Sequence, residues 1–231
     1  MSNSYVVATV KPWNTSAYRR HVKALPGSWH LVQNQTGLTV EFVRAINPRY
    51  IFFPHWSWRV PDEIIEAFEC VCFHMTEVPF GRGGSPLQNL ILRGMATTKI
   101  TALRMERSLD TGPVYLRRPL GLSGRAETIY RCAAEIIFDM IAEIVEREPQ
   151  PVPQEGEVTV FTRRRPQQSA LPTTGSLESL FNHIRMLDAA TYPRAFLAHG
   201  DFHLEFSHAK KLGNHVQARV IFRRRERDEH D

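Results

Sequence analysis

The chain has 231 residues, 42% hydrophobic and 23% charged, with a formal net charge of +5. That balance gives one main domain with a full core and a small appendage, and no apolar run approaches the roughly 18 residues of a membrane span. The start lacks a secretory pattern, so a cytoplasmic location is expected; Cys70, Cys72 and Cys132 are too few for a disulfide framework and lack a second pair at zinc spacing, so no metal is expected.

In chain order, residues 5–10 are a β-rich run stopped by Lys11-Pro12-Trp13-Asn14, and 16–25 form a short helix ended by Pro26-Gly27. A strand over 30–33, a helix over 40–46 and a buried-type strand over 50–53 make the second step. Pro61 starts the next helix with Asp62 and Glu63 in its first turn, and the apolar strand 70–73 delivers His74 at its carboxyl end. After the turn Phe80-Gly81-Arg82-Gly83-Gly84, Ser85-Pro86 opens a helix that runs to Gly94. A strand over 98–105 leads to Leu109-Asp110-Thr111-Gly112, followed by a short strand at 114–117 and the longest helix at 126–146. Strands alternating with helices predict an open, mostly parallel twisted α/β sheet with helices on both faces.

The proline-bearing stretch 147–155 reads as a linker, dividing a catalytic domain, 1–150, from a small α+β appendage, 151–231, with strands at 158–161 and 202–206 around a helix at 176–186. Arg163-Arg164-Arg165 is either solvated surface or a face for an anionic substrate; Arg223-Arg224-Arg225-Glu226-Arg227, running into Asp228, Glu229 and Asp231, reads as solvated surface. Ligands of such sheets bind beyond the carboxyl ends of the strands, where the loops at 11–14, 56–60, 74–84 and 107–112 converge. His74 and Asp110 are then spaced as a base and its orienter. Taken singly, either residue has an ordinary structural role, a core histidine or an aspartate capping the Thr111-Gly112 turn.

Residues 72–88 resemble the signature of the 10-formyltetrahydrofolate-dependent formyltransferases, in which Asn-x-His-Pro-Ser-Leu-Leu-Pro precedes an Arg-Gly turn and a Pro-x-Gln helix start: His74, Pro79, Arg82, Gly83, Pro86 and Gln88 match. Leu109-Asp110-Thr111-Gly112 matches the family's second motif. The stretches Phe161-Thr162-Arg163-Arg164-Arg165-Pro166, Ile184-Arg185-Met186-Leu187-Asp188 and Tyr192-Pro193-Arg194-Ala195-Phe196 are similar to the sugar-nucleotide N-formyltransferases, and the additional carboxyl-terminal barrel of methionyl-tRNA formyltransferases is not expected. The resemblance implies 10-formyltetrahydrofolate as formyl donor and a nucleotide-linked amino sugar as acceptor. Together with the appendage it makes a homodimer plausible; the charge distribution argues against a nucleic-acid partner and the lack of a long apolar run against a membrane. Another small amine, such as a hydroxyornithine, is the alternative acceptor.

By the same resemblance His74, Asp110 and Cys72 are the catalytic positions; Trp58, Arg59, Val60, Arg107 and Ser108 hold the folate; Trp13, Asn14 and Arg82 meet the acceptor. Cys72 stands where the family has its asparagine, and a thiol is a poor hydrogen-bond donor. Asn14 and Asn89 are candidates to take over that bond; a catalytically silent nucleotide- or folate-binding protein is the remaining alternative.

Overall fold

The computed structural model describes residues 3–225. The alternating charges at 226–231 lie outside the described residues. Strands β1 (Ser4–Ala8), β2 (Ser28–Val32), β3 (Tyr50–Phe53) and β4 (Cys70–His74) pair in parallel, joined by helices α1 (Pro12–His21), α2 (Val40–Ile46) and α3 (Asp62–Ala67). After β5 (Arg82–Gly83) and α4 (Pro86–Leu92) come β6 (Thr97–Arg104) and β7 (Val114–Gly121), which complete the order β2-β1-β3-β4-β6-β7. Helix α5 (Ala126–Arg147), β8 (Val160–Phe161), α6 (Leu177–Arg185), β9 (Ala195–His199), β10 (Phe202–Leu212) and β11 (His215–Arg224) follow. The expected open, mostly parallel α/β sheet with helices on both faces is the fold, with an antiparallel sheet, β11-β10-β9, beside it.

Alternation along the strands splits the core. Val7, Phe52, Val71 and Phe73 face α1, α4 and α5, whereas Val6, Ile51, Phe53 and Cys70 face α2 and α3. Helix α5 presents Ile129, Ala133, Ile137, Met140, Ile141 and Ile144 at helical spacing to the first face, each one removed from water. Full burial of a large aliphatic side chain contributes about 1.5–3 kcal/mol, so this stripe orders the helix far more than intrinsic propensity does.

Three sequence expectations change. Helix α1 begins at Pro12, not at 16: the prolines's missing N–H falls at the first helical position, where no intrahelical partner exists, so Trp13 and Asn14 belong to a first turn and not to a loop. Strand β6 runs antiparallel to β4 and ends beside its start, where Met105 N–H donates to the Cys70 carbonyl at 2.8 Å. The loop at 105–113 therefore does not extend from the carboxyl edge; it must fold back to reach His74. Finally, β10 and β11 form a long hairpin, with Leu212 opposite His215 across Gly213-Asn214, where a strand over 202–206 alone was expected.

The residues after 151 share the main core. Val152 exchanges backbone hydrogen bonds with Val114, β8 pairs with β5, and Phe161, Ile184, Met186 and Ala195 pack into the α5 face. Asp188, fully buried, pairs with Arg194 and accepts the His208 N–H at 2.7 Å, tying α6 to β10.

Candidate active site

His74 is the last residue of β4, opposite Thr101 of β6, and only 8% exposed. Its Nε2 lies 2.7 Å from the Gly81 carbonyl oxygen, an acceptor only, so Nε2 carries the proton and donates. The Thr76 hydroxyl donates to the same oxygen at 3.3 Å. Gly81 has φ +72, and a Cβ there would lie 2.8 Å from both Phe161 and Thr76, so only glycine lets the turn pass this close. Nδ1 of His74 faces Asp110 Oδ2 at 3.5 Å.

Asp110 is held by two hydrogen bonds, one to its side chain and one to its backbone. Its Oδ2 accepts the Gly83 N–H at 2.9 Å, and the Gln154 amide donates to its carbonyl at 2.9 Å and to that of Gly112 at 2.7 Å. The backbone at Asp110 is left-handed, φ +55, a conformation aspartate tolerates better than most residues. Arg82, expected to meet the acceptor, donates to Gln154 Oε1 at 2.8 and 3.2 Å. A neutral partner leaves the guanidinium charge uncompensated while fixing the glutamine.

Cys72 lies two residues before His74 on the same face of β4, between Phe53 and Leu103 on the neighbouring strands. Burial first, and the charge of Asp110 second, push its thiol up, so it stays protonated. It is a weak donor and not a nucleophile. Neither asparagine replaces it: Asn14 Nδ2 donates to Thr9 Oγ1 at 3.2 Å and the Pro54 carbonyl at 3.1 Å, and Asn89 Nδ2 is spent on the carbonyls of Gly84, Ser85 and Thr162.

Of the residues expected to hold the folate, Arg59 and Arg107 pair with residues of α3. Val60 is buried, Arg59 pairs with Asp62 at 3.0 Å, Arg107 pairs with Glu66, and the Ser108 carbonyl accepts the Thr111 hydroxyl. Trp58 is half exposed and meets Trp56 edge to face at 5.0 Å. Trp56 Nε1 is buried with no hydrogen-bond partner.

On the opposite face, Trp13 stacks on Tyr130 at 5.0 Å and Tyr130 on Tyr192 at 5.3 Å. Gln88 Nε2 donates to the Tyr130 hydroxyl at 3.1 Å. His55 meets Trp13 and Tyr130 edge on and lies 3.5 Å from the Tyr192 hydroxyl. Burial and the neighbouring Lys11 lower its pKa to about 3, so it is neutral. Lys11 Nζ donates to Thr191 Oγ1 at 2.8 Å and sits 4.7 Å from the centre of the Tyr192 ring. Gln154 carried no pattern that the sequence could single out; tertiary contact identifies it.

The fold and this site define a class of α/β protein with a histidine–carboxylate pair at the edge of an open sheet. Residues 166–223 match the family described as the C-terminal domain of methionyl-tRNA formyltransferase. A solved methionyl-tRNA formyltransferase from Clostridium thermocellum is 46% identical, with TM-score 0.94, covering 96% of this chain and 99% of that one. The chain belongs to the formyltransferase family. A curated methionyl-tRNA formyltransferase from Thermodesulfovibrio yellowstonii is 26% identical over 162 residues, 67% of this chain and 51% of the relative, so the chain spans about half the length of such curated relatives. A sugar N-formyltransferase from Shewanella sp. shares the fold at TM-score 0.71 and 13% identity, covering 91% of this chain and 98% of that one. No helix among the described residues is long and apolar enough to cross a membrane.

Proposed function

We propose that the protein transfers a formyl group from 10-formyltetrahydrofolate, the donor its family uses, to the primary amine of a nucleotide-linked amino sugar. The observation that carries formyl transfer is the His74–Asp110 pair, locked to the glycine turn by Gly81 and Gly83. A pterin needs a flat apolar wall and unsatisfied hydrogen-bonding groups; the paired rings of Trp56 and Trp58 and the orphaned Trp56 Nε1 fit it. Trp58, Arg59, Val60, Arg107 and Ser108 would hold it on the α3 side, with Cys72 at its reacting end. When bound, the donor supplies an activated formyl carbon.

The rest of the chemistry falls to the chain. An ammonium cannot attack, so the acceptor must be presented neutral and must lose a proton as the new bond forms. As the amine nitrogen bonds to the formyl carbon and that carbon's bond to the donor nitrogen breaks, His74 takes the amine proton at Nδ1, the nitrogen not committed to the Gly81 carbonyl, Asp110 stabilises the resulting imidazolium at 3.5 Å, and the proton would pass on to the departing nitrogen, which leaves as tetrahydrofolate. Cys72 contributes only a weak S–H donor toward the formyl oxygen, which makes the site slower than one carrying asparagine.

Incubation with 10-formyltetrahydrofolate and a panel of nucleotide-linked amino sugars, following tetrahydrofolate release, tests the reading; no turnover with any sugar removes this acceptor class. The aminoacyl amine of a charged tRNA is the second reading, favoured by the relatives at 46% and 26% identity, and methionyl-tRNA belongs in the same panel. A second copy of this chain is the proposed partner. The long edge strand β11, with Val220 and Phe222 exposed, supports that reading.

A further inference from the structure

Gln154 lies in the stretch read from the sequence as a linker, yet its amide uses both N–H donors and accepts two hydrogen bonds at its oxygen. Nε2 donates to the carbonyls of Asp110 at 2.9 Å and Gly112 at 2.7 Å, and Oε1 accepts Arg82 Nη2 at 2.8 Å and Nε at 3.2 Å. A backbone carbonyl only accepts and a guanidinium only donates, so these partners dictate which end of the amide faces which. The glutamine is itself anchored on both sides. Val152 exchanges backbone hydrogen bonds with Val114 at 2.7 and 2.9 Å, and Thr159 N–H donates to the Pro79 carbonyl at 3.2 Å.

The backbone of Asp110, φ +55, persists where its surroundings impose it. Its carboxylate accepts the Gly83 N–H at 2.9 Å and stands 3.5 Å from His74 Nδ1. Releasing the carbonyls of Asp110 and Gly112 would let this turn relax and carry the carboxylate away from His74. Arg82 acts on the same point through the glutamine. Its charged donors draw electron density toward Oε1 and strengthen the N–H donation at the other end of the amide. The guanidinium reaches Gln154 from a fixed base, because Arg82 N–H is bonded to the Thr159 carbonyl at 2.9 Å.

We propose that Arg82 and Gln154 are positioning residues: the chain Arg82–Gln154–Asp110 sets the carboxylate before His74, and Arg82 serves it in place of meeting the acceptor. The proposal rests on the formyl-transfer reading for the reaction that this geometry serves. It puts a determinant of the catalytic pair beyond residue 150, in a stretch expected only to join two domains. A glutamate at 154 would pair more strongly with Arg82 but turn an oxygen against two carbonyl oxygens, so the requirement is for an amide and not for a charge.

Amide hydrogen exchange of the full chain, read by NMR without any substrate, and steady-state kinetics test the proposal together. Gln154→Met removes every bond of the amide, and Gln154→Glu removes the donors alone. In both, the Gly83 N–H, bonded to Asp110, is expected to exchange at least about tenfold faster. The N–H groups of Arg82 and Gly84, bonded to the carbonyls of Thr159 and Phe161, keep their protection. In turnover, these two variants and Arg82→Met lower kcat about 10- to 100-fold with acceptor KM retained. Added to Asp110→Asn, which has already lost the carboxylate, Gln154→Met lowers kcat no further. Unchanged Gly83 exchange overturns the proposal, since Asp110 then keeps its place unaided; equal acceleration of all three amides also overturns it, since the segment then props the whole turn. A raised KM with kcat retained in Arg82→Met returns Arg82 to the acceptor and overturns it too, as do losses that multiply with Asp110→Asn. The exchange measurement requires no turnover: faster Gly83 exchange alone, in a protein that formylates no amine, refutes the reaction and upholds the positioning of Asp110.

Discussion

Replacing Cys72 by asparagine tests the account of the catalytic centre. Residue 72 shares a strand face with His74, so their Cβ atoms stand about 7 Å apart along β4. The present thiol is protonated and donates weakly. Asn14 and Asn89, the other candidates for the bond, have their amide hydrogens committed to protein oxygens at 3.1–3.2 Å. If a side-chain donor is what the site lacks, supplying it raises kcat by up to the 100- to 1,000-fold that one oxyanion donor contributes, about 2.7–4 kcal/mol. The amide sits half-buried between Phe53 and Leu103, at a folding cost of about 1 kcal/mol, reduced by any hydrogen bond to Asp110. Single-turnover release of tetrahydrofolate, with acceptor saturating and fold checked by circular dichroism, reads the effect. A folded Cys72→Asn protein no faster than the parent, together with unchanged turnover in Cys72→Ala, would refute the reasoning and move the donor to the backbone.

Asp110→Asn preserves an acceptor for the Gly83 N–H but removes the charge facing His74, and kcat is expected to fall about 100- to 10,000-fold with little change in acceptor KM, measured by steady-state kinetics. Gln154→Ala frees the carbonyls of Asp110 and Gly112 and the Arg82 guanidinium; unfolding in urea should show a loss of about 1–3 kcal/mol and turnover should fall with it, while unchanged turnover would mean that Asp110 keeps its place unaided. Gly112→Ala would set a Cβ 2.0 Å from the Arg104 carbonyl oxygen, so a lower thermal midpoint and a displaced Asp110 loop are expected. His55 titrates near 6.5 when unfolded and near 3 when folded, so below pH 6.5 the unfolded chain takes up a proton that the folded chain does not. Stability therefore falls as pH drops from about 6.5 toward 3 and is unaffected by this group above that range. Between pH 7 and 5 the loss is about 1–2 kcal/mol, discounted for partial exposure, and His55→Gln should remove that part of the slope in urea titrations.

Local chemistry made much of this molecule legible in the sequence. The buried strands at 50–53 and 70–73, the α5 stripe, the proline-started α4 and the glycine turn follow from side-chain periodicity and backbone preferences that neighbouring residues impose on one another. Two short motifs were enough to select His74 and Asp110, because each sits in its own turn-forming context. Strand direction was not legible. A strand's periodicity is the same whichever way it runs, so only pairing across the sheet reveals that β6 is antiparallel and that the loop at 105–113 folds back to bring Asp110 to His74. The β10–β11 hairpin was hidden similarly, since its arginine-rich strand reads locally as solvated charge and becomes a strand by pairing. Gln154 looks like part of a spacer; its seat between the Arg82 guanidinium and the carbonyls of Asp110 and Gly112 is a long-range packing outcome, decided by the tertiary structure alone.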